Sequence, residues 1–219
     1  MLALLYQPNI AARNQLTEEF LELAGGRVHL LRGGTGEPVL FLHAAGGAGA
    51  WHPFHALLAG AGFEVLAPDH PGFGKSDDFP DAEAIDDLVY HYLDVIDALG
   101  LSRPHVVGAS FGGWIAAELA VHSPHRIGSL TLWVPYFYDP KLERRLGRIT
   151  TPALVAAPSD DRLIPVAHAR RYAALISGAT YAEVPDCGHA MYFERPTEFA
   201  ALVTSFLASH PLAECGVSR

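Results

Sequence analysis

The stretch His105-Val106-Val107-Gly108-Ala109-Ser110-Phe111-Gly112-Gly113-Trp114-Ile115-Ala116-Ala117-Glu118-Leu119-Ala120 decides the reading of the fold. A short apolar run, His105–Gly108, reads as a buried strand, and Trp114–Leu119 is good helix. Between them stands Gly108-x-Ser110-x-Gly112. Glycines on either side relieve crowding around a tight turn. The serine is left exposed at a helix N-terminus, where oriented N–H groups favour developing negative charge. Strand, sharp turn and helix in that order are what a nucleophile elbow requires.

Working outward, the same alternation continues. Val39–Leu42, Glu64–Ala67, Ser129–Val134, Ala153–Ala157 and Thr180–Val184 read as further buried strands. Amphipathic stretches near 51–61, 83–99, 111–122, 166–177 and 196–208 read as helices. Val28–Arg32, followed by the turn Gly33-Gly34-Thr35-Gly36, reads as the first arm of a hairpin into Val39–Leu42. The pattern predicts an α/β fold, a mostly parallel doubly wound sheet with helices on both faces. Residues 25–210 are expected to form one domain, after an N-terminal extension over 1–24 that could be helical and before a tail at 211–219. There is no internal repeat and no low-complexity segment.

Composition narrows the class of function. The 219 residues are 50% hydrophobic and 18% charged, enough apolar material for a packed core. A net charge of −9 argues against nucleic-acid binding and against a polybasic membrane anchor. Two cysteines, Cys187 and Cys215, make neither a disulfide framework nor a four-ligand zinc pattern. The apolar start Met1–Leu5 has no basic leader, and no run reaches the ~20 apolar residues of a membrane helix. The expected compartment is the cytoplasm.

In a parallel sheet the chemistry sits beyond the carboxyl ends of the strands. After Val39–Leu42 comes His43-Ala44-Ala45-Gly46-Gly47, small residues that let a ligand approach backbone N–H groups. After Ala153–Ala157 comes Ser159-Asp160-Asp161-Arg162, where a carboxylate can hold an imidazole in one tautomer. After the last strand comes Pro185-Asp186-Cys187-Gly188-His189, a histidine on a loop long enough to swing over the sheet towards the serine.

With these motifs in the order Ser, Asp, His, the sequence resembles the α/β-hydrolase fold superfamily. Phe41–Gly47, Pro68-Asp69-His70-Pro71-Gly72-Phe73-Gly74-Lys75-Ser76 and Gly113–Ala120 resemble its ester and carbon–carbon bond hydrolases, and the resemblance runs from about Val28 to Leu207. It implies Ser110 as nucleophile, His189 as general base and Asp161 as the acid. Asp161 is preferred to Asp160 because it stands three residues after Pro158 and four before Pro165, although the family usually has Gly at the Pro158 position. It implies an oxyanion hole made by the backbone N–H groups of Phe111 and of Ala44 or Ala45. His43, Trp133, Tyr136 and Phe137 are expected to border the substrate, with His43 more a prop for the oxyanion loop than a catalyst. No cofactor and no metal are expected. Serine at the elbow argues against the epoxide hydrolases and haloalkane dehalogenases, which use Asp there.

One departure stands out. Members of this superfamily commonly carry a cap domain after the sixth strand, and here only residues 135–152 separate the sixth strand from the seventh. Residues 135–150 are read as a remnant of one short helix. An open site would leave Trp133, Tyr136, Phe137 and Tyr138 in need of cover. The N-terminal stretch, a partner subunit or the substrate could supply it, and exposed apolar patches of this kind point to a homodimer.

Bland readings compete at several positions. Asp161 could be a turn or N-cap residue, with Asp160 and Asp139 as stand-ins. Asp69-His70 reads as loop architecture and Cys187 as packing. Gly74-Lys75-Ser76 lacks the earlier glycine of a phosphate loop, because Asp69 occupies that position. Gly46-Gly47-Ala48-Gly49 fails the dinucleotide fingerprint at His52. His52-x-x-His55 and His122-x-x-His125 have no evident third ligand. The leading expectation is a serine hydrolase for small or medium carboxylic esters. Carbon–carbon bond hydrolysis of the meta-cleavage type and acyl transfer or perhydrolysis by the same triad are the alternatives. A non-catalytic small-molecule binder on the same fold is the competitor from another class.

Overall fold

The structure, a computed structural model, describes residues 16–80, 82–135 and 140–213. Among them, eight strands form one sheet in the order β1-β2-β4-β3-β5-β6-β7-β8. The strands are β1 Thr17–Leu23, β2 Gly26–Gly34, β3 Glu37–Leu42, β4 Phe63–Pro68, β5 His105–Ala109, β6 Ser129–Trp133, β7 Ala153–Pro158 and β8 Thr180–Val184. From β4 through β3 to β8 every pairing is parallel. β1 and β2 add an antiparallel edge. The helices are α1 Pro53–Gly60, α2 Ile85–Ala98, α3 Phe111–His122, α4 Pro140–Arg145, α5 Val166–Leu175, α6 Met191–Glu194 and α7 Pro196–Ala208.

The central strands β3, β5, β6 and β7 are apolar on both faces because helices cover both. Phe54 of α1 stacks on Phe199 of α7 at 4.7 Å, and Phe199 in turn meets Trp133 of β6 at 5.1 Å, closing one face of the core. None of the helices among the described residues is long and apolar enough to cross a membrane.

Two expectations are corrected. Residues 17–23 are not part of a helical extension: they form the edge strand β1, paired from Thr17↔Arg32 to Leu23↔Gly26. Glu19, Leu21 and Leu23 are half-buried while Phe20 and Glu22 face solvent, the two-residue period of a strand with one covered face. The hairpin from β2 into β3 does not form either, because β4 lies between them. At Gly34, φ is +84° and a Cβ would stand 2.2 Å from the Phe63 carbonyl, so the chain crosses there by close backbone approach instead of turning back on itself. The connection from β6 to β7 contains α4 and one 3₁₀ turn, Leu146–Arg148. The N-terminal residues 1–15 and residues 136–139 lie outside the described residues.

Candidate active site

Ser110 is the residue between β5 and α3, with φ +50° and ψ −108°. A serine at positive φ is strained, and the surroundings hold it there. Its N–H donates to the Trp133 carbonyl at 2.9 Å, and its own carbonyl accepts from Trp114 N at 3.0 Å. The flanking glycines have a measurable reason. A Cβ on Gly108 would stand 2.4 Å from the Gly112 carbonyl, and one on Gly112 would stand 2.2 Å from the Leu42 carbonyl. The Gly-x-Ser-x-Gly spacing therefore lets α3 pack against the ends of β3 and β5 while the serine is presented at the turn.

Asp161 follows β7. Its Oδ1 accepts from the N–H groups of Leu163 at 2.8 Å and Ile164 at 2.9 Å, and its Oδ2 lies 2.7 Å from His189 Nδ1. An ionised carboxylate only accepts, so Nδ1 carries the imidazole proton and Nε2 keeps its lone pair. The Asp161 carboxylate is fully buried, whereas that of Asp160 is 66% exposed beside Arg162. Between the two candidates, the geometry pairs Asp161 with the histidine.

The His189 loop is braced by its own helix. Glu194 of α6 accepts from Gly188 N at 2.9 Å and Ala190 N at 3.2 Å, and Arg195 Nε donates to the Asp186 carbonyl at 3.1 Å. Tyr192 shows where this loop lies. Its ring is 4.6 Å from Trp133, at the end of β6, and 4.4 Å from His52, in the segment after β3. β5 runs between β3 and β6. Tyr192, three residues after His189, thus touches residues from the segments on either side of β5.

Backbone donors stand at the same edge. Phe111 opens α3, so its N–H has no intrahelical acceptor. The N–H groups of Ala44 and Ala45 have no acceptor among the described residues. Of the side chains expected to border the substrate, His43 is buried with both ring nitrogens engaged. Nε2 accepts from His70 N at 2.8 Å, and Nδ1 donates to the Ala44 carbonyl at 2.6 Å. Trp133 is equally buried, beneath Tyr192 and against Phe199, and supports the site from below. Tyr136 and Phe137 lie outside the described residues.

Sequence reasoning missed Tyr192, Leu163 and Phe193. Leu163, two residues after Asp161, is 76% exposed, and Phe193, on α6 four residues after His189, is 69% exposed. A groove of about 320 Å³ beside them is lined by Asp160, Leu163, Gly188, His189 and Glu194. A larger groove, about 660 Å³, lies among Glu37, Gly100, Arg103 and Leu212 at the amino ends of the central strands β3, β5 and β6, away from their carboxyl ends.

The remaining motifs have structural employment. Lys75 Nζ pairs with Glu18 of β1, and Ser76 Oγ donates to the Asp69 carbonyl at 2.9 Å. Asp69 accepts from Lys75 N at 3.0 Å and lies 2.7 Å from His29 Nδ1. Cys187 is buried, and burial pushes its thiol up to about 11, which leaves it protonated and inert at neutral pH. Asp86, Glu118 and His122 bring one ligand atom each within 4.8 Å, and Arg145 already donates to Glu118 at 3.0 Å.

Comparisons agree with this geometry. A 2-hydroxy-6-oxononadienedioate/2-hydroxy-6-oxononatrienedioate hydrolase of Burkholderia vietnamiensis is 42% identical over 112 residues, which is 48% of this chain and only 39% of the relative. A hydrolase of the same name from Klebsiella pneumoniae is 26% identical over 287 positions, covering 93% of this chain and 99% of the relative. About 204 residues of this chain, 93% of 219, are spread over those 287 positions, so roughly eighty positions of the alignment have no counterpart in this chain. The crystal structure of a predicted CIB-like hydrolase from Thermoplasma acidophilum superposes with a TM-score of 0.80 at 26% identity, over 90% of this chain and 99% of that one. The family model described as alpha/beta hydrolase fold matches residues 37–148, and a second, described as alpha/beta hydrolase family, matches residues 127–202. The first model alone spans half of the sequence, and the two together take in β3 to β8; the chain belongs to the α/β hydrolase fold family.

Proposed function

We propose that the protein is a serine hydrolase in which Ser110 attacks a substrate carbonyl, His189 moves the proton and Asp161 holds His189 in the active tautomer. The observation that carries this reading is the 2.7 Å Asp161–His189 bond, made by residues that follow β7 and β8, in a sheet whose β5 ends at a strained Ser110. His189 Nε2 takes the Ser110 Oγ proton as Oγ bonds to the carbonyl carbon. The N–H groups of Phe111 and Ala44 stabilise the oxyanion, each good donor contributing ~3–4 kcal/mol in comparable systems. Collapse of the tetrahedral intermediate breaks the bond to the leaving group, which receives the proton from His189. Water, deprotonated by the same imidazole, then releases the acid from Ser110.

For the substrate, the relatives shift the order that the sequence alone suggests. Those matching across nearly the whole chain are hydrolases of 2-hydroxy-6-oxo dienedioates, so carbon–carbon bond cleavage beside an oxo group comes before ester hydrolysis. The same machinery serves both, provided the leaving carbon departs as a stabilised enolate that His189 can protonate. Ester hydrolysis stays as the second reading because the β6–β7 connection supplies little roof over the site. The discriminating experiment compares kcat/KM on 2-hydroxy-6-oxo-6-phenylhexa-2,4-dienoate, followed by loss of the dienoate chromophore, with that on p-nitrophenyl butyrate. The first reading predicts a preference of at least about tenfold for the dienoate. Turnover of the ester alone would establish the second, and turnover of neither would sink both.

A further inference from the structure

The oxyanion loop is held by a chain of buried side chains that begins well outside the site. The carbonyl of His43 accepts two hydrogen bonds, from His70 Nε2 at 2.7 Å and from Gly112 N at 3.2 Å. The carbonyl of Ala44 also accepts two, from His43 Nδ1 at 2.6 Å and from Gly47 N at 2.9 Å. In a trans peptide the N–H points opposite to the C=O. Pinning these two carbonyls therefore aims the N–H groups of Ala44 and Ala45 the other way, and both lack an acceptor among the described residues.

The tautomers form one consistent set. His43 Nε2 accepts from the His70 N–H, so the His43 proton is on Nδ1, where it meets the Ala44 carbonyl. His70 Nε2 faces a carbonyl, so the His70 proton is on Nε2, and Nδ1 must accept. Its partner is the hydroxyl of Tyr92, on α2, which is fully buried. Burial lowers the basicity of both histidines and keeps them neutral, as this arrangement requires. The Phe111 ring meets His70 edge-on at 5.3 Å, so the second N–H donor is packed against the same imidazole.

We propose that Tyr92 and His70 are positioning residues for the oxyanion hole, the Tyr92 hydroxyl anchoring the His70 ring at Nδ1 so that its Nε2–H holds the His43–Ala44 peptide in orientation. The proposal rests on the serine-hydrolase reading above. Tyr92→Phe removes one hydroxyl and keeps the ring. The His70 ring then loses its anchor at Nδ1, so the Nε2–H that pins the His43 carbonyl is held less firmly and the peptide loosens. Loss of a whole oxyanion donor costs ~10²–10³ in rate, and a donor that is misaimed part of the time costs less, about tenfold.

The test measures fluorophosphonate labelling of Ser110 by intact mass, together with kcat and KM on p-nitrophenyl butyrate and the Tm. The expected result for Tyr92→Phe is about tenfold slower labelling and lower kcat, with KM unchanged. His70→Gln, whose amide can still donate to the His43 carbonyl, is expected to keep most of the rate that His70→Leu loses. Wild-type labelling and kcat in Tyr92→Phe, whatever its Tm, would overturn the relay. Equal rate losses in His70→Gln and His70→Leu, tracking their Tm, would also overturn it by making His70 a packing residue. Failure of the folded wild type to label would instead remove the hydrolase reading, and the relay's role with it.

Discussion

Asp161 performs two separable tasks, and one pair of substitutions divides them. Its Oδ2 meets His189 Nδ1, while its Oδ1 caps the N–H groups of Leu163 and Ile164. Asp161→Asn can keep the Oδ1 bonds but presents an amide N–H to Nδ1, which moves the imidazole proton to Nε2 and removes the base. By analogy with triads in general the kcat cost is ~10⁴, about 5 kcal/mol of transition-state stabilisation, with little change in Tm. Asp161→Ala loses the same catalysis and the two backbone bonds as well. Bonds to a charged group contribute ~1.5–3 kcal/mol each, and because Leu163 is on an exposed loop where water repays part of that, a net loss of about 1–3 kcal/mol is expected. The assay is kcat on p-nitrophenyl butyrate beside thermal unfolding of both variants. An Asn variant with wild-type kcat would refute the assignment of Asp161. A kcat loss that follows Tm through both variants would reduce the residue to a loop support.

Other consequences follow from packing and charge. Gly112→Ala would place a methyl 2.2 Å from the Leu42 carbonyl, and its expected outcome is loss of soluble folded protein or a Tm drop of many degrees, read by circular dichroism. His91 and His55 are held neutral by burial, with pKa values lowered from 6.5 to about 4 and about 3. The unfolded chain binds more protons below pH 6.5, so their contribution is whole above that pH and is lost as pH falls towards those values. The slope is ~1.4 kcal/mol per pH unit for each histidine. Urea unfolding between pH 6.5 and 4 should show this slope, and His91→Phe should flatten it by one histidine's share. Leu163→Ser and Phe193→Ser, at exposed positions, should leave the unfolding free energy within about 0.5 kcal/mol of wild type. If these side chains contact the substrate, the variants should raise KM for an apolar one, as steady-state kinetics would show.

Much of the fold was legible because a parallel sheet buries both faces of its inner strands, so β3 through β7 stand out as short apolar runs between amphipathic stretches, whereas β8, at the edge, is buried only at Val184. The Ser110 elbow was legible for a local reason, since only glycine fits at 108 and 112. The edge was not. β1 is half solvent-exposed, and its Thr17-Glu18-Glu19-Phe20-Leu21-Glu22-Leu23 carries too few apolar residues to announce a strand. The order of β2, β4 and β3 depends on a crossing at Gly34 that no local pattern encodes. At the proposed site, Ser110, Asp161 and His189 could be named as candidates from the sequence, whereas Tyr92 and Tyr192 could not. Tyr92 is one apolar position among several on α2, and its bond to His70 joins residues 22 apart in the chain. Tyr192 falls between the His189 loop and the stretch read as helix from 196, and nothing marks it until the fold sets Trp133 and His52 against its ring.

The central claim is that Ser110 is an activated nucleophile, and intact mass after exposure to a fluorophosphonate tests it most directly. The account predicts one adduct per chain, absent in Ser110→Ala and strongly slowed in His189→Ala, with both variants still folded. A folded wild-type protein that takes up no probe, or a Ser110→Ala variant that labels as well as wild type, would contradict it.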